Sequence, residues 1–191
     1  VWNGLKQASM RISIGSERRT IVSVQNAAVM MHDEEMSREG KYLTFSLANE
    51  EYGIGILKVK EIIGMMPITP VPQTPHFVKG VINLRGKVIP VIDLRLKFGM
   101  EAIDYNERTC IIVVETSGTT ASYIMMGLVV DSVSEVVNIK DEDIEDAPAF
   151  GARLSTEYIL GMAKAGDSVK ILLDIDKVLT GQEMQALEKT I

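Results

Sequence analysis

Two histidines, one cysteine and scattered carboxylates are the groups from which this 191-residue sequence could build a reaction centre. A hydrolytic triad needs a nucleophile, a base and an orienting group, and neither His32 nor His76 stands in a recognisable setting for one. Cys110 is embedded in Thr109-Cys110-Ile111-Ile112-Val113-Val114, where a small buried hydrophobe is the simpler reading. A lone cysteine excludes an intrachain disulfide framework and any multi-cysteine metal site, and it suits a reducing compartment.

The glycine and acidic patterns fail on spacing. Gly80 to Gly86 followed by Lys87 has the outline of a phosphate loop, but five residues separate the glycines where four are needed, and Val88 replaces the magnesium-reaching hydroxyl. Gly53 and Gly55 open like a dinucleotide fingerprint, yet Lys58 occupies the third glycine position. A calcium loop starting at Asp141 would have Asp146 at its sixth position instead of glycine, and Ala152 at its twelfth instead of a bidentate glutamate. Asp174 and Asp176 leave a strand on one side, where polar closure is a simpler role than acid–base work across a sugar-sized cleft. Asp93 and Asp131 would become candidates only in a cleft beside a bound metabolite. No catalytic residue, cofactor or metal is expected.

Arg85 is different. It lies at a glycine-flanked turn between apolar segments, where a fixed guanidinium could offer a directed fork to a carboxylate or carbonyl, or merely be solvated. It belongs to a basic concentration with Lys79, Lys87, Arg95 and Lys97, whose aromatic neighbours are only Phe77 and Phe98, a poor platform for stacking bases. Over the whole chain 20 basic residues face 26 acidic ones, a formal charge of -6 that opposes phosphate backbones and anionic lipid. No nucleic acid is expected. No stretch approaches the roughly 20 apolar residues of a membrane span, so a cytoplasmic protein without direct membrane insertion is expected. Proteins or small molecules remain as partners.

The elements that would position these groups become legible from residue 41. In Lys41 to Leu47, Leu43, Phe45 and Leu47 point one way and Thr44 and Ser46 the other, the mark of a half-buried strand. Tyr52 to Ile56 supplies a second strand, with Gly53 and Gly55 marking a bulge or close approach. Ile56, Val59 and Ile63 recur at helical spacing, which predicts a short helix over 56–63. Four prolines between residues 67 and 75 make an extended connector. Phe77 to Asn83, a tight turn at Leu84-Arg85-Gly86-Lys87 and Val88 to Leu94 read as a hairpin, with Pro90 at an edge or bulge. A helical turn over 94–98 stops at Gly99. Strands follow over Thr109 to Glu115, Tyr123 to Val130 and Val133 to Ile139, then a hairpin of Tyr158 to Ala163 with Val169 to Ile175 about 165–167. Thr180 and Glu183 form a capping box that opens a C-terminal helix with Met184, Leu187 and Ile191 on one face. Residues 1–38 show no sustained pattern and are expected to be a mobile or weakly ordered leader, a short hairpin of Ile12, Ile14, Ile21, Val22 and Val24 being the alternative. Many short strands with little helix favour two small barrels sharing an interface.

Across Phe77-Val78-Lys79-Gly80-Val81-Ile82-Asn83-Leu84-Arg85-Gly86-Lys87-Val88-Ile89-Pro90-Val91-Ile92-Asp93-Leu94 the sequence closely resembles the CheW-like chemotaxis coupling proteins. Residues 50–54, 56–62, 127–133 and 154–161 follow the same family, and the resemblance spans about residues 39–190. It implies a mainly β fold: two SH3-like five-stranded barrels, intertwined and packed around a shared hydrophobic seam, with short helices and a C-terminal helix. It also implies a non-catalytic scaffold without cofactor or metal, recruited to membrane-associated chemoreceptor arrays. Its partners would be the cytoplasmic tip of a methyl-accepting chemoreceptor and the regulatory domain of the chemotaxis histidine kinase. Carried over by position, Val59, Glu61, Lys79, Gly80 and Arg85 fall where the family places partner-sensitive residues, Arg85 chiefly on the receptor side. Gly127, Val133 and Val136 fall at positions affecting receptor or kinase coupling. Core packing is the competing role for Val133 and Val136, and close packing for Gly80 and Gly127. The alternative reading is a barrel-based protein-binding module of another signalling assembly.

Overall fold

A computed structural model describes residues 38–118, 123–147, 157–166 and 168–188. The leader expected over 1–38 lies, apart from Arg38, outside the described residues, as do Ile191 and part of the 154–161 motif. Eleven strands are present among the described residues, and they form two sheets. One contains β1 (Gly40–Leu47), β2 (Glu50–Gly55), β8 (Ser132–Ile139), β9 (Ile144–Glu145), β10 (Ile159–Ala165) and β11 (Ser168–Leu173), in the order β8-β1-β2-β11-β10-β9. The other contains β3 (Val59–Gly64), β4 (Val78–Leu84), β5 (Lys87–Asp93), β6 (Cys110–Ser117) and β7 (Tyr123–Val130), in the order β3-β6-β7-β5-β4. Helix α1 (Leu94–Lys97) follows β5, and α2 (Gly181–Glu188) closes the described chain.

Two expectations are corrected. The sheets are not SH3-like five-stranded barrels: one has six strands, and neither closes on itself, because β8 and β9, like β3 and β4, are end strands that do not pair with each other. The outer edge of β4 meets the proline-rich connector instead, through a single bridge of Thr69 with Val81. Side-chain alternation tells which face of a strand is buried but not which edges pair. The predicted helix over 56–63 is a 3-10 turn, Ile56–Lys58, running into strand β3. Spacings of three and four mimic a helix stripe here because β3 carries a bulge at Lys60, which turns Val59 to the seam and Ile63 to the opposite face. The β-branched Val59, Ile62 and Ile63 favour the strand.

The strands β5, β6 and β7 read as nearly unbroken apolar runs because they are buried on both faces. Ile92, Ile112, Val114, Met126, Leu128 and Val130 pack with Leu43, Phe45, Leu47, Tyr52, Ile54 and Leu173 of the other sheet in one hydrophobic cluster, so a shared seam exists without closed barrels. The opposite faces of the same strands, through Ile111, Val113, Val91 and Val129, pack with Ile82 and Ile89 in a second cluster. Phe45, Tyr52, Phe98 and Tyr158 stack in series at centroid separations of 5.9, 5.7 and 4.9 Å. Pro90 lies inside the sheet, since β5 runs between β4 and β7. It is tolerated because its partner Val81 turns its own N–H and C=O to Thr69, and the β5–β7 ladder begins only at Val91.

Ion pairs stitch the rim. Lys58 lies 2.6 Å from Asp176, whose other oxygen accepts from Thr116 Oγ1 and the Ser117 amide of β6. Arg95 of α1 lies 2.6 Å from Asp131, which also accepts the amide of Ala48 in the β1–β2 turn. Lys97 pairs with Glu183, which completes the capping box by accepting from the Thr180 amide while Thr180 Oγ1 accepts from the Glu183 amide.

Burial raises the carboxyl pKa values of Asp176 and Glu183, but hydrogen bonds and the charges of Lys58 and Lys97 outweigh it and hold both below the ordinary range. A depressed folded pKa contributes stability that is present above the unfolded value and lost as pH falls through the folded one. Urea unfolding followed from pH 7 downward should therefore show stability declining below about pH 5. Asp176→Asn should flatten that decline; an unchanged slope would contradict the stitching role.

Candidate functional site

The β4–β5 hairpin turns on two residues, Arg85 at φ 53° and Gly86 at φ 84°, with the Gly86 amide donating to Asn83 Oδ1 at 2.9 Å. Two positive φ values are what a tight hairpin needs to match strand twist. The turn throws the Arg85 side chain into solvent, 80% exposed, where its Nη2 lies 2.8 Å from Glu61 Oε2. Glu61 belongs to β3, at the opposite end of the sheet from β4. The sheet is thus curled enough for its two ends to meet through side chains, although no strand ladder joins them. Ile63, Met65, Met66 and Ile68 fill the space beneath, against the second cluster.

The other expected residues of this sheet have distinct settings. Val59 opens β3 and packs, half-buried, on the seam. Lys79 occupies a bulge where Val78 pairs Ile92 and Gly80 pairs Val91. Its ammonium lies 5.8 Å from the ring centroid of Tyr105. Tyr105 donates to Asp93 Oδ2 at 3.0 Å; burial first, then the Asp93 charge, pushes its phenol far above the usual range. Gly80 has φ 137°, and a Cβ there would stand 2.1 Å from the Thr69 carbonyl oxygen. Gly127, in the interior of the sheet, would place a Cβ 2.7 Å from Ile111 Cγ2. Both glycines therefore have a packing reason to be there.

Val133 and Val136 lie elsewhere, on β8, an end strand of the six-stranded sheet. Val133 pairs with Phe45 and packs on the seam, whereas Val136 pairs with Leu43 and is 50% exposed. The structure brings Glu61 and Arg85 into contact, and it separates them from the β8 valines by sheet. Sequence reasoning missed Leu57, 92% exposed on the 3-10 turn before β3, and the exposed Ile62 and Val88 of the same sheet. The available signal was the run Ile54 to Leu57, too long in apolar residues for every second side chain to turn inward.

Reaction chemistry is not assembled around these residues. Asp93 is committed to Tyr105 and to the Leu96 amide at the start of α1. Burial raises the Cys110 thiol, which disfavours the thiolate. Among the described residues no group of three or more His, Cys, Asp or Glu could hold a metal ion.

Substitution should separate packing from docking. Gly80→Ala forces a side chain against backbone at positive φ and should cost about 3 kcal/mol in unfolding experiments; Gly127→Ala, against a movable methyl, about 1–3 kcal/mol. Arg85→Ala removes only an exposed pair and should change stability by less than about 1 kcal/mol. A large loss of stability in Arg85→Ala would make the pair a structural tie.

The family model of the CheW-like domain matches residues 41–183, which runs from β1 into α2. The chain is 44% identical over 148 residues to a chemotaxis protein CheW of Klebsiella aerogenes, covering 78% of this chain and 86% of that protein. It is 33% identical to the chemotaxis protein CheW of Treponema pallidum, covering 76% and 85% respectively. The crystal structure of the scaffolding protein TtCheW from Thermoanaerobacter tengcongensis matches with a TM-score of 0.67 and 38% identity, over 76% of this chain and 97% of that one. With the family model running from β1 into α2 and these relatives matched over most of their length, the chain belongs to the CheW-like family of chemotaxis coupling proteins, as a non-catalytic adaptor.

Proposed function

We propose that this chain couples the cytoplasmic tip of a methyl-accepting chemoreceptor to the regulatory domain of the chemotaxis histidine kinase, through two docking surfaces on different sheets of one stiff body. Proteins of this family bridge receptors and kinase. The observation that carries the finer reading is the separation just described: the Glu61–Arg85 pair on the curled five-stranded sheet, and the half-exposed Val136 on the end strand of the other. Elsewhere on that sheet, Val59 at the seam, Lys79 beside Tyr105 and the exposed Leu57 before β3 would add apolar and cationic contact. Desolvated apolar contacts would supply affinity, while the guanidinium fork, oriented by Glu61, would set direction. Gly80 and Gly127 support these surfaces from within and need not touch a partner. The protein would work on the cytoplasmic side of membrane-associated receptor arrays; no described helix is long and apolar enough to cross a membrane.

Kinase autophosphorylation measured with receptor-containing membranes tests the coupling. Adding the folded protein should bring kinase output under attractant control, and Arg85→Ala should lower that control about tenfold in the concentration needed. Output that never responds to intact, folded protein would refute the proposal.

A further inference from the structure

Val133 and Val136 are three residues apart, and in a regular strand an odd spacing puts side chains on opposite faces. Here both face as Phe45 and Leu43 do, because the β1–β8 register shifts between those two positions and leaves Ser134 and Glu135 opposite the single residue Thr44. The extra residue has to be paid for in hydrogen bonds, since its backbone groups leave the ladder. Thr44 supplies both. Its hydroxyl, fully buried, donates to the Glu135 carbonyl at 2.9 Å and accepts from the Glu135 amide at 3.2 Å. Ser134 is held in addition by Glu51 Oε1 at 3.4 Å, and Glu51 is itself paired with the buried Lys170.

We propose that Thr44 is the positioning residue of the β8 docking strand: its buried hydroxyl locks the bulge at Ser134 and Glu135 that brings Val133 and Val136 to one face. Thr44 touches no partner and acts through β8 alone. A buried threonine on the side of β1 that also carries Ser46 thereby acquires a role that Val, the same size without the hydroxyl, cannot fill. The inference rests on the reading of β8 as a docking strand.

The experiment measures binding of the kinase regulatory domain and of a receptor-tip fragment to the full chain carrying Val136→Lys, Thr44→Val or Thr44→Ser. Amide exchange at Glu135 is followed in parallel. Val136→Lys should weaken one partner by about tenfold and so identify which partner uses this strand. Thr44→Val should weaken that same partner by about fivefold or more, leave the other within about twofold, and speed exchange at Glu135. Thr44→Ser, which keeps the hydroxyl, should restore both readouts. Deleting Glu135 removes the extra residue, so in that background Thr44→Val should no longer affect binding; this arm also serves if Thr44→Val alone does not fold. Normal binding by Thr44→Val where Val136→Lys binds poorly would overturn the positioning role. Normal binding of both partners by Val136→Lys would overturn the docking reading and the inference with it.

Discussion

The constraint on which the rest depends is that β5, β6 and β7 must serve two cores at once. Ile112 and Val114 face the seam shared with the other sheet, while Ile111 and Val113, one residue along, face the cluster enclosed by their own sheet. Such strands can carry almost no polar side chain, because an unpartnered polar group buried on either face costs more than a hydrogen bond returns. Polar groups are thereby driven to the ends of these strands and to the rim, as with Asp93 of β5 and Thr116 of β6. There, Lys58 with Asp176, Arg95 with Asp131 and Lys97 with Glu183 tie turns and helices across the seam. Exposed side chains such as Val136 and Arg85 stand at the ends of the sheets.

Those ends are shaped by small departures from regular pairing. Lys79 sits in a bulge of β4 beside Gly80, whose missing Cβ lets the connector cross at Thr69. Glu135 sits in a bulge of β8 that Thr44 closes. In each case one extra residue re-aims a side chain at a sheet end. The Arg85 turn does the same with two left-handed residues. A rigid core with irregular margins suits a protein whose free energy goes into association, since stiffness lowers the entropy lost when a partner is ordered against it.

Much of this was legible in the sequence, for identifiable reasons. Alternation in residues 41–47 and the unbroken run of 123–130 marked β1 and β7, and Thr180 with Glu183 marked the start of α2, because each depends on neighbours within four residues. Sheet closure was not legible. Whether β3 meets β4 is decided by curl and by the path of the proline-rich connector, which no local period records. The 56–63 segment was misread because a bulge at Lys60 gives the strand apolar spacings of three and four, which are those of a helix. Glu61 and Arg85 were each singled out by resemblance to a family, but their contact joins residues 24 apart at opposite ends of a sheet and appears only in three dimensions. The β8 bulge was equally hidden: the sequence shows Val133 and Val136 at a spacing that should separate them, and Thr44 as an ordinary outward strand residue.

An adaptor of this build transmits a bias between partners only if it holds both together, and that requires two surfaces that do not overlap. Sedimentation of the protein with the kinase regulatory domain and a receptor-tip fragment, alone and together, measures this directly. Two separate surfaces give a ternary species, with neither partner displacing the other at saturating concentration. Mutual displacement, with only binary complexes at every ratio, would contradict it.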